Sequence, residues 1–258
     1  MSTAASRDGT TIAFEQVGAG PALILVDGAM CYRAAGPLPA LAQALAPAFT
    51  VYTYDRRGRG DSGDTPPYAV AREVEDLAAL IAESGPAFAY GISSGAALAL
   101  EAAASGLPIT KVALYEPPFT AEEGDPRAKQ DYTKRLTELL SADRRGDAVE
   151  LFMTLVGMPP ALIAGMRTAP VWPVFEAIAQ TLAYDDAVLG DGTVPRDRAA
   201  LVTQPAMVAY GEASPANLRS AAIATADVLS DCQRRGLAGQ THDVDPGALA
   251  PILSEFFL

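Results

Sequence analysis

Tyr90-Gly91-Ile92-Ser93-Ser94-Gly95 is the stretch that most constrains the fold of this 258-residue chain, because it has the pattern G-x-S-x-G. The residues before it, 87–90, suit a buried strand, and the alanine- and leucine-rich run 96–104 is strongly helical in composition. Glycines allow a sharp strand-to-helix turn because they have no Cβ. The turn would hold the Ser93 hydroxyl at a helix N-terminus, whose N–H groups favour developing negative charge. This context is typical of a nucleophile elbow, although a glycine-rich turn with an incidental serine gives the same pattern.

The sequence contains one histidine, His242, in a glycine-containing loop near the C-terminus. A nucleophilic serine needs a base that works near neutral pH, and imidazole is the usual one. His242 also follows Ser93 in chain order, as the base does in enzymes that use a nucleophile elbow. We therefore interpret His242 as the general base, the alternative being a purely structural histidine.

Composition and charge exclude several classes of function. Half of the residues are apolar, and a formal net charge of −12 argues against binding to nucleic acid or to anionic membrane surfaces. The N-terminal residues lack the apolar core of a signal peptide, and no apolar run approaches the length of a membrane span. Cys31 and Cys232 are too few for a disulfide scaffold or a metal cluster. We expect a cytoplasmic monomer or homodimer that acts on a small-molecule substrate.

Strand and helix patterns alternate along most of the chain, which predicts a mostly parallel sheet with helices on both faces. Apolar runs predict strands near 11–17, 22–26, 49–54, 87–90, 110–115 and 206–210. Residues 118–203 break the alternation, because they show amphipathic helical patterns and no convincing strand. We therefore expect a core formed by residues 1–117 and 204–258, with residues 118–203 inserted as a helical cap.

Four segments together resemble the α/β-hydrolase-fold family, and the resemblance covers nearly the whole chain outside the cap. They are the elbow 91–95, Asp55-Arg56-Arg57-Gly58-Arg59-Gly60-Asp61-Ser62-Gly63, Val26-Asp27-Gly28-Ala29-Met30 and Gly239-Gln240-Thr241-His242. The second segment is similar to the D-x-R-G-x-G-x-S loop that the family places after its fourth strand. The third occupies the position of the oxyanion loop, and the fourth that of the histidine loop. The resemblance implies an α/β-hydrolase fold with an inserted helical cap.

The resemblance also implies acyl-transfer chemistry. Ser93 would attack a carbonyl, His242 would take its proton, and backbone N–H groups would stabilise the oxyanion. In the family pattern these donors correspond to the N–H groups of Ala29 and Ser94. The arginine-rich loop 55–63 is a structural turn near the site in the family, and we expect that role here rather than a direct catalytic one.

The oxyanion loop departs from the family pattern at Asp27, where a histidine before the glycine is usual. An aspartate in a turn often accepts hydrogen bonds from local backbone N–H groups, and this is the simpler role. Alternatively, Asp27 sets the shape of the loop or contacts substrate. An ionised carboxylate facing the oxyanion would oppose catalysis, so the side chain is expected to point away from it.

The acid of the triad is the second departure. Most members carry it three positions after a glycine at the end of a later strand, where this chain has Ser214. A subset of the fold places the acid after the strand next to the elbow strand, which is the position of Glu116. Glu116 is therefore the predicted acid, although it could instead be a solvated carboxylate at the start of the cap. The alternatives are Glu212, Asp185, Asp186, Asp243 or no acid at all.

Methionine and aromatic residues predict a mainly apolar pocket under the inserted segment. At helical spacing such residues usually pack between helices, but some of them would roof the site if the cap covers the sheet edge. The predicted pocket residues are Met30, Tyr32, Phe119, Met153 and Trp172.

Together these features predict a serine hydrolase, without cofactor or metal, that cleaves a small, largely apolar ester, thioester or lactone. Hydrolysis of a C–C bond, or a non-hydrolytic acyl or lyase reaction, would use the same triad. A ligand-binding protein that keeps the fold is an alternative of a different class. Intact Ser93 and His242 argue against that alternative, whereas Asp27 and the displaced acid are compatible with it.

Overall fold

Eight strands form one sheet in the computed structural model, which describes residues 1–121 and 126–258. In chain order they are β1 (Ser2–Ala5), β2 (Thr11–Val17), β3 (Ala22–Val26), β4 (Thr50–Tyr54), β5 (Ala87–Ile92), β6 (Ile109–Tyr115), β7 (Ala206–Gly211) and β8 (Cys232–Leu237). Their order across the sheet is β1-β2-β4-β3-β5-β6-β7-β8. Strand β2 is antiparallel to both of its neighbours, whereas the pairs from β4 to β8 are parallel.

Helices cover both faces of this sheet. In chain order they are α1 (Leu38–Leu45), α2 (Val70–Ser84), α3 (Ser94–Ala104), α4 (Pro126–Ser141), α5 (Arg145–Leu155), α6 (Pro160–Arg167), α7 (Trp172–Ile178), α8 (Leu182–Val188), α9 (Arg196–Ala199), α10 (Ala216–Asp227) and α11 (Pro246–Phe257), and a 3₁₀ turn spans Ala179–Thr181. Side chains of α2, α3 and α10 pack on one face, and those of α1 and α11 pack on the other. The central strands are apolar because both of their faces are buried, which confirms the predicted α/β fold class.

The topology brings the predicted site segments together. Strands β3, β5, β6 and β7 are parallel, so the residues that follow them lie at the same edge of the sheet. The segments after β3, β5 and β6 contain Asp27, Ser93 and Glu116 in turn. Ligands of open parallel sheets bind at this edge, so the fold directs the search for a site to these three turns.

Helices α4 to α9 lie between β6 and β7, within the segment for which we expect a cap. In the described part of residues 118–203, the only strand-like feature is an isolated bridge between Thr120 and Thr193. Helices α4 to α8 share a cluster of buried side chains that includes Leu136, Val149 and Trp172. Residues 122–125 of the segment lie outside the described residues. The division of the chain into core and cap stays a prediction.

Strands β1 and β8 have no counterpart in the sequence analysis. Strand β8 reads Cys-Gln-Arg-Arg-Gly-Leu, and its four middle residues are exposed, so no apolar alternation marks it. Strand β1 has only four residues, Ser-Thr-Ala-Ala. Both lie at edges of the sheet, where a strand pairs on one side only and polar side chains discourage further pairing.

Candidate active site

Ser93 lies in the turn between β5 and α3, with φ 58° and ψ −129°. A non-glycine residue rarely adopts this conformation, so the surrounding structure must hold it in place. The Ser93 N–H donates to the Tyr115 carbonyl of β6 at 2.9 Å. A Cβ on Gly95 would overlap the carbonyls of Val26 and Asp27, so only glycine lets α3 begin this close to β3. The sharp turn expected of G-x-S-x-G is therefore present.

Backbone strain concentrates around this turn. In the part of the chain that the structure describes, four non-glycine residues have positive φ: Met30 (61°), Ser93 (58°), Glu116 (45°) and Asp143 (53°). The first three follow β3, β5 and β6 at the same sheet edge. Strain of this kind costs free energy and clusters at functional sites, which supports this edge as the site.

His242 and Glu116 form a direct pair. The Nδ1 atom of the His242 ring lies 2.7 Å from Oε2 of Glu116, although 126 positions separate the two residues. The imidazole side chain is 41% exposed, whereas the Glu116 side chain is fully buried. The second carboxylate oxygen, Oε1, accepts the Gly211 N–H at 2.8 Å. The carboxylate is therefore fixed by the backbone of β7 on one side and faces the imidazole on the other.

Glu116 is ionised at neutral pH. Burial alone would raise the pKa of its carboxyl, but the contacts with His242 and with the Gly211 N–H outweigh burial and hold the pKa below its usual value. The Ser214 hydroxyl, at the usual family position of the acid, is buried and has no hydrogen-bond partner among the described residues. Since an ionised carboxylate only accepts, His242 Nδ1 carries the hydrogen of this contact, and in a neutral imidazole the free lone pair is then on Nε2.

The histidine loop is fixed by its neighbours. The Tyr115 hydroxyl donates to the Thr241 carbonyl at 2.7 Å, next to His242. A Cβ on Gly211 would overlap the Gln240 carbonyl, so glycine at the end of β7 permits the loop to approach. Sequence reasoning missed the role of Tyr115, because nothing in a strand tyrosine signals a contact with a loop 126 positions away.

The alternative acids lie elsewhere. Glu212 and Asp243 are exposed to solvent. Asp186 contacts Lys129 Nζ at 2.7 Å, and Asp185 contacts arginines of the loop after β4.

The predicted oxyanion donors belong to the loop that passes beside Ser93 and to the residue that follows Ser93 in the chain. A Cβ built on Gly28 would lie 3.1 Å from the Cβ of Ser93, so the loop after β3 passes directly beside the serine. Ala29 follows in this loop. Ser94 is the first residue of α3 and is buried, and the first N–H groups of a helix have no partner within it. Their role as donors stays a prediction.

Asp27 is buried beside this loop, with 2% of its surface exposed. Its Oδ1 atom has no hydrogen-bond partner among the described residues. A Cβ built on Gly36 would lie 3.4 Å from Oδ1, so the carboxyl faces the loop that precedes α1. Burial raises the pKa of Asp27 to about 7, against the opposing effect of Arg59 and Arg56.

The raised pKa of Asp27 predicts that the stability of the protein falls as pH rises. The unfolded chain releases this proton near the ordinary aspartate value of 3.8, whereas the folded chain keeps it to about pH 7. Between these values the folded state binds more protons, so Asp27 lowers the free energy of unfolding as pH rises. The difference of about 3 pKa units corresponds to about 4 kcal/mol. Asp27→Asn removes this titration, so the variant should gain stability relative to wild type between pH 4 and pH 7.

Urea unfolding of both proteins across this pH range measures the effect. Asp231→Asn, at an exposed position, is the control and should follow the wild-type curve. Parallel curves for wild type and Asp27→Asn would show that Asp27 is ionised in the folded protein throughout.

The arginine-rich loop is buried, which its charge does not suggest. Arg56, Arg57 and Arg59 are each at most 1% exposed. Arg56 makes a two-pronged ion pair with Glu73 of α2, with both N–O distances at 2.7 Å. Arg57 pairs in the same way with Asp76, at 2.8 and 2.7 Å. These fork-to-fork contacts anchor the loop to α2 and explain how the charges of Arg56 and Arg57 are tolerated in the interior.

Four of the five predicted pocket residues share one cluster. Met30, Met153 and Trp172 are buried in the cluster of the α4–α8 helices, and Tyr32 packs against it. The loop after β3 therefore contacts the inserted helices. Phe119 lies in a separate cluster with Ala97 of α3, so the structure does not bring it together with the other four. Substrate contacts stay a prediction for all five.

Within residues 1–121 and 126–258, no group of three or more His, Cys, Asp and Glu side chains is arranged to hold a metal ion. No helix in these ranges has the length and apolar character needed to cross a bilayer.

Comparisons with known proteins agree with this architecture. Residues 18–250 match the model of a family described as "Alpha/beta hydrolase family". Among solved structures, the chain is similar to an alpha/beta hydrolase from Sphaerobacter thermophilus DSM 20745, with 52% identity, a TM-score of 0.89 and 100% of each chain covered.

Two more distant structures share the fold. One is a hydrolase from Pseudomonas aeruginosa PA01, with 24% identity and a TM-score of 0.73 over 99% of this chain and 97% of the other. The other is the enol-lactonase from Burkholderia xenovorans LB400, with 22% identity and a TM-score of 0.72 over 99% of each chain. At these identities the similarity shows the fold alone.

Proposed function

The chain belongs to the alpha/beta hydrolase family, and from that premise we propose that it is a serine hydrolase with the triad Ser93, His242 and Glu116. The observation that carries this proposal is the 2.7 Å contact between His242 Nδ1 and a buried Glu116 carboxylate. The contact leaves Nε2 as the basic atom of the imidazole. Ser93 stands in a strained turn at the same sheet edge, as a nucleophile elbow requires.

The first half of the reaction forms an acyl-enzyme. Ser93 Oγ attacks the substrate carbonyl carbon, and His242 Nε2 accepts the hydroxyl proton. The Ala29 and Ser94 N–H groups donate to the oxyanion that develops on the carbonyl oxygen. His242 then passes the proton to the leaving alcohol, thiol or lactone hydroxyl, and the bond to that group breaks.

The second half releases the acid. His242 takes a proton from a water molecule, whose oxygen attacks the acyl carbon, and returns that proton to Ser93 Oγ as the ester bond breaks. Throughout both steps Glu116 stays ionised and stabilises the imidazolium that forms beside it. These steps involve only groups of the chain, substrate and water, so the proposed reaction needs no cofactor.

We propose a small, largely apolar ester, thioester or lactone as the substrate, and residues 118–203 as the cap over it. Support comes from Met30, the last residue of the oxyanion loop, and from Tyr32 just after it, which both pack with the helices of that segment. Apolar side chains on the chain segment that passes beside Ser93 favour an apolar acyl or alcohol group. The net charge of −12 also disfavours polyanionic substrates.

A substrate panel tests this proposal. Wild type and Ser93→Ala are assayed on p-nitrophenyl acetate, butyrate and octanoate, on an acyl thioester and on a γ-lactone. We expect Ser93-dependent turnover on at least one class, with kcat/KM higher for the short uncharged acyl chains than for a succinyl ester of similar size. Ser93-independent rates on every class would contradict the proposal.

A further inference from the structure

A buried charged cluster, which the proposed mechanism does not use, contacts the elbow from helix α8. At its centre, Asp185 accepts the Ser94 hydroxyl and Arg56 Nη1 at Oδ1, each at 2.7 Å. Its other oxygen, Oδ2, accepts Arg59 Nη2 at 2.7 Å. Asp185 is 4% exposed, and the arginines are each 1% exposed. Charge-assisted hydrogen bonds in so dry a setting are strong and directional.

Through Arg59 this cluster reaches the oxyanion loop. Arg59 Nη1 donates to the carbonyl of Gly28 and, at 3.1 Å, to that of Cys31. The Gly28 carbonyl and the Ala29 N–H belong to the same peptide, which is trans, so they point in opposite directions. Fixing the oxygen on Arg59 therefore fixes the direction of the Ala29 N–H, on the side away from Arg59.

The same carboxylate also holds the second donor residue. Ser94 has its hydroxyl on Asp185 Oδ1, and its backbone N–H is the other proposed oxyanion donor. Arg56 Nη1 adds a bond to the Asp27 carbonyl at 3.2 Å, which joins the end of β3 to the same cluster. Both walls of the proposed oxyanion hole thus depend on one side chain of the inserted segment.

We propose that Asp185 is a positioning residue that aligns the two oxyanion donors, Ala29 N–H through Arg59 and Ser94 N–H through the Ser94 side chain. The inference rests on the proposed function, because it concerns the transition state of that reaction. It also makes the inserted segment part of the catalytic apparatus, since α8 must be seated for the donors to point correctly. If Asp185 had a purely structural role, its replacement would lower stability, but it would not weaken binding of the oxyanion more than binding of the substrate.

The test compares Asp185→Asn with Asp186→Asn. Asp186 is the adjacent residue of α8, but it contacts Lys129 and Thr133 of α4 and so serves as a matched control. Each variant and wild type are assayed for kcat and KM on the best ester, below their melting temperatures. The inhibition constant of a trifluoromethyl ketone is measured in parallel, because Ser93 adds to this ketone and leaves an anionic oxygen in the hole.

Asp185→Asn is expected to lower kcat by about tenfold or more and to weaken ketone binding by a similar factor, since complete removal of one donor costs about 10²- to 10³-fold and misalignment loses part of that effect. KM should stay within about threefold, because the ground-state carbonyl gains little from the donors. Asp186→Asn should leave all three quantities within about twofold. A folded Asp185→Asn variant with wild-type kcat and ketone affinity would overturn the inference.

Two further variants carry the test if Asp185→Asn does not fold. Ser94→Ala removes the hydroxyl and keeps the backbone N–H, and Arg59→Lys removes the fork that joins Asp185 to Gly28. Each should lower kcat and ketone affinity several-fold, and wild-type values in both would overturn the inference. The activity of the wild-type protein on the ester distinguishes the failure of one proposal from that of the other. If the wild-type protein has no activity, the proposed function is wrong and this inference is wrong with it. If the wild-type protein is active, the variants test this inference alone.

Discussion

Replacing Ser93 by alanine is expected to lower kcat on the best ester by roughly 10⁴- to 10⁶-fold, the size of effect that loss of a serine nucleophile produces. The physical reason is that Ser93 occupies the elbow at the C-terminal end of β5, where it alone would form the covalent intermediate. The melting temperature should stay close to that of wild type or rise slightly. Alanine leaves the backbone conformation strained but removes no hydrogen bond of the serine side chain that the structure describes.

Ser105→Ala is the control for this comparison, because Ser105 lies at the other end of α3 and is exposed. Its kcat should match that of wild type. Turnover by Ser93→Ala at more than a few per cent of the wild-type rate, on a substrate with low background hydrolysis, would show that another group performs the chemistry.

Replacing Glu116 by glutamine should produce the second largest loss, with kcat falling by about 10³- to 10⁴-fold. Glutamine has nearly the same shape and can still accept the Gly211 N–H, but it has no charge to stabilise the imidazolium. Its amide can also donate to Nδ1, which would favour the wrong tautomer of His242. KM should change much less than kcat, and the activity should be measured over a range of pH to exclude a simple shift of the optimum.

Glu212→Gln tests the main alternative acid under the same conditions. Glu212 is exposed and lies after β7, where the family usually carries its acid two positions later. Its kcat should stay within about twofold of wild type. A large loss in Glu212→Gln together with normal turnover in Glu116→Gln would show that Glu212, and not Glu116, is the acid.

The sheet and the elbow could be predicted because their signals are local. Strand β5, the turn at Ser93 and helix α3 are contiguous, and strand β3 is an uninterrupted apolar run. The edge strand β8 could not be predicted, because its exposed Arg234 and Arg235 hide the strand pattern. Its pairing with β7 is a property of the assembled sheet rather than of the segment.

For the candidate site, too, some features could be predicted from the sequence and others could not. The choice of Glu116 as the acid rested on its position after β6 together with the family resemblance, since a subset of the fold places its acid at this strand end. The contacts of Asp185 could not be predicted, since 129 positions separate it from Arg56. The burial of Arg56 and Arg59 could not be predicted either. Arginine is rarely buried unless it is paired, and the sequence does not show which residues are its partners.

The central claim is that Ser93 is an activated nucleophile, and fluorophosphonate labelling measures this most directly. Ser93 Oγ would displace fluoride from phosphorus, and His242 would take the hydroxyl proton. Intact-protein mass spectrometry should show one phosphonyl group on wild type, and peptide mapping should place it on Ser93. The label should persist in Ser105→Ala and disappear in Ser93→Ala. A folded wild-type protein that takes up no label, or that carries it on a residue other than Ser93, would contradict the account.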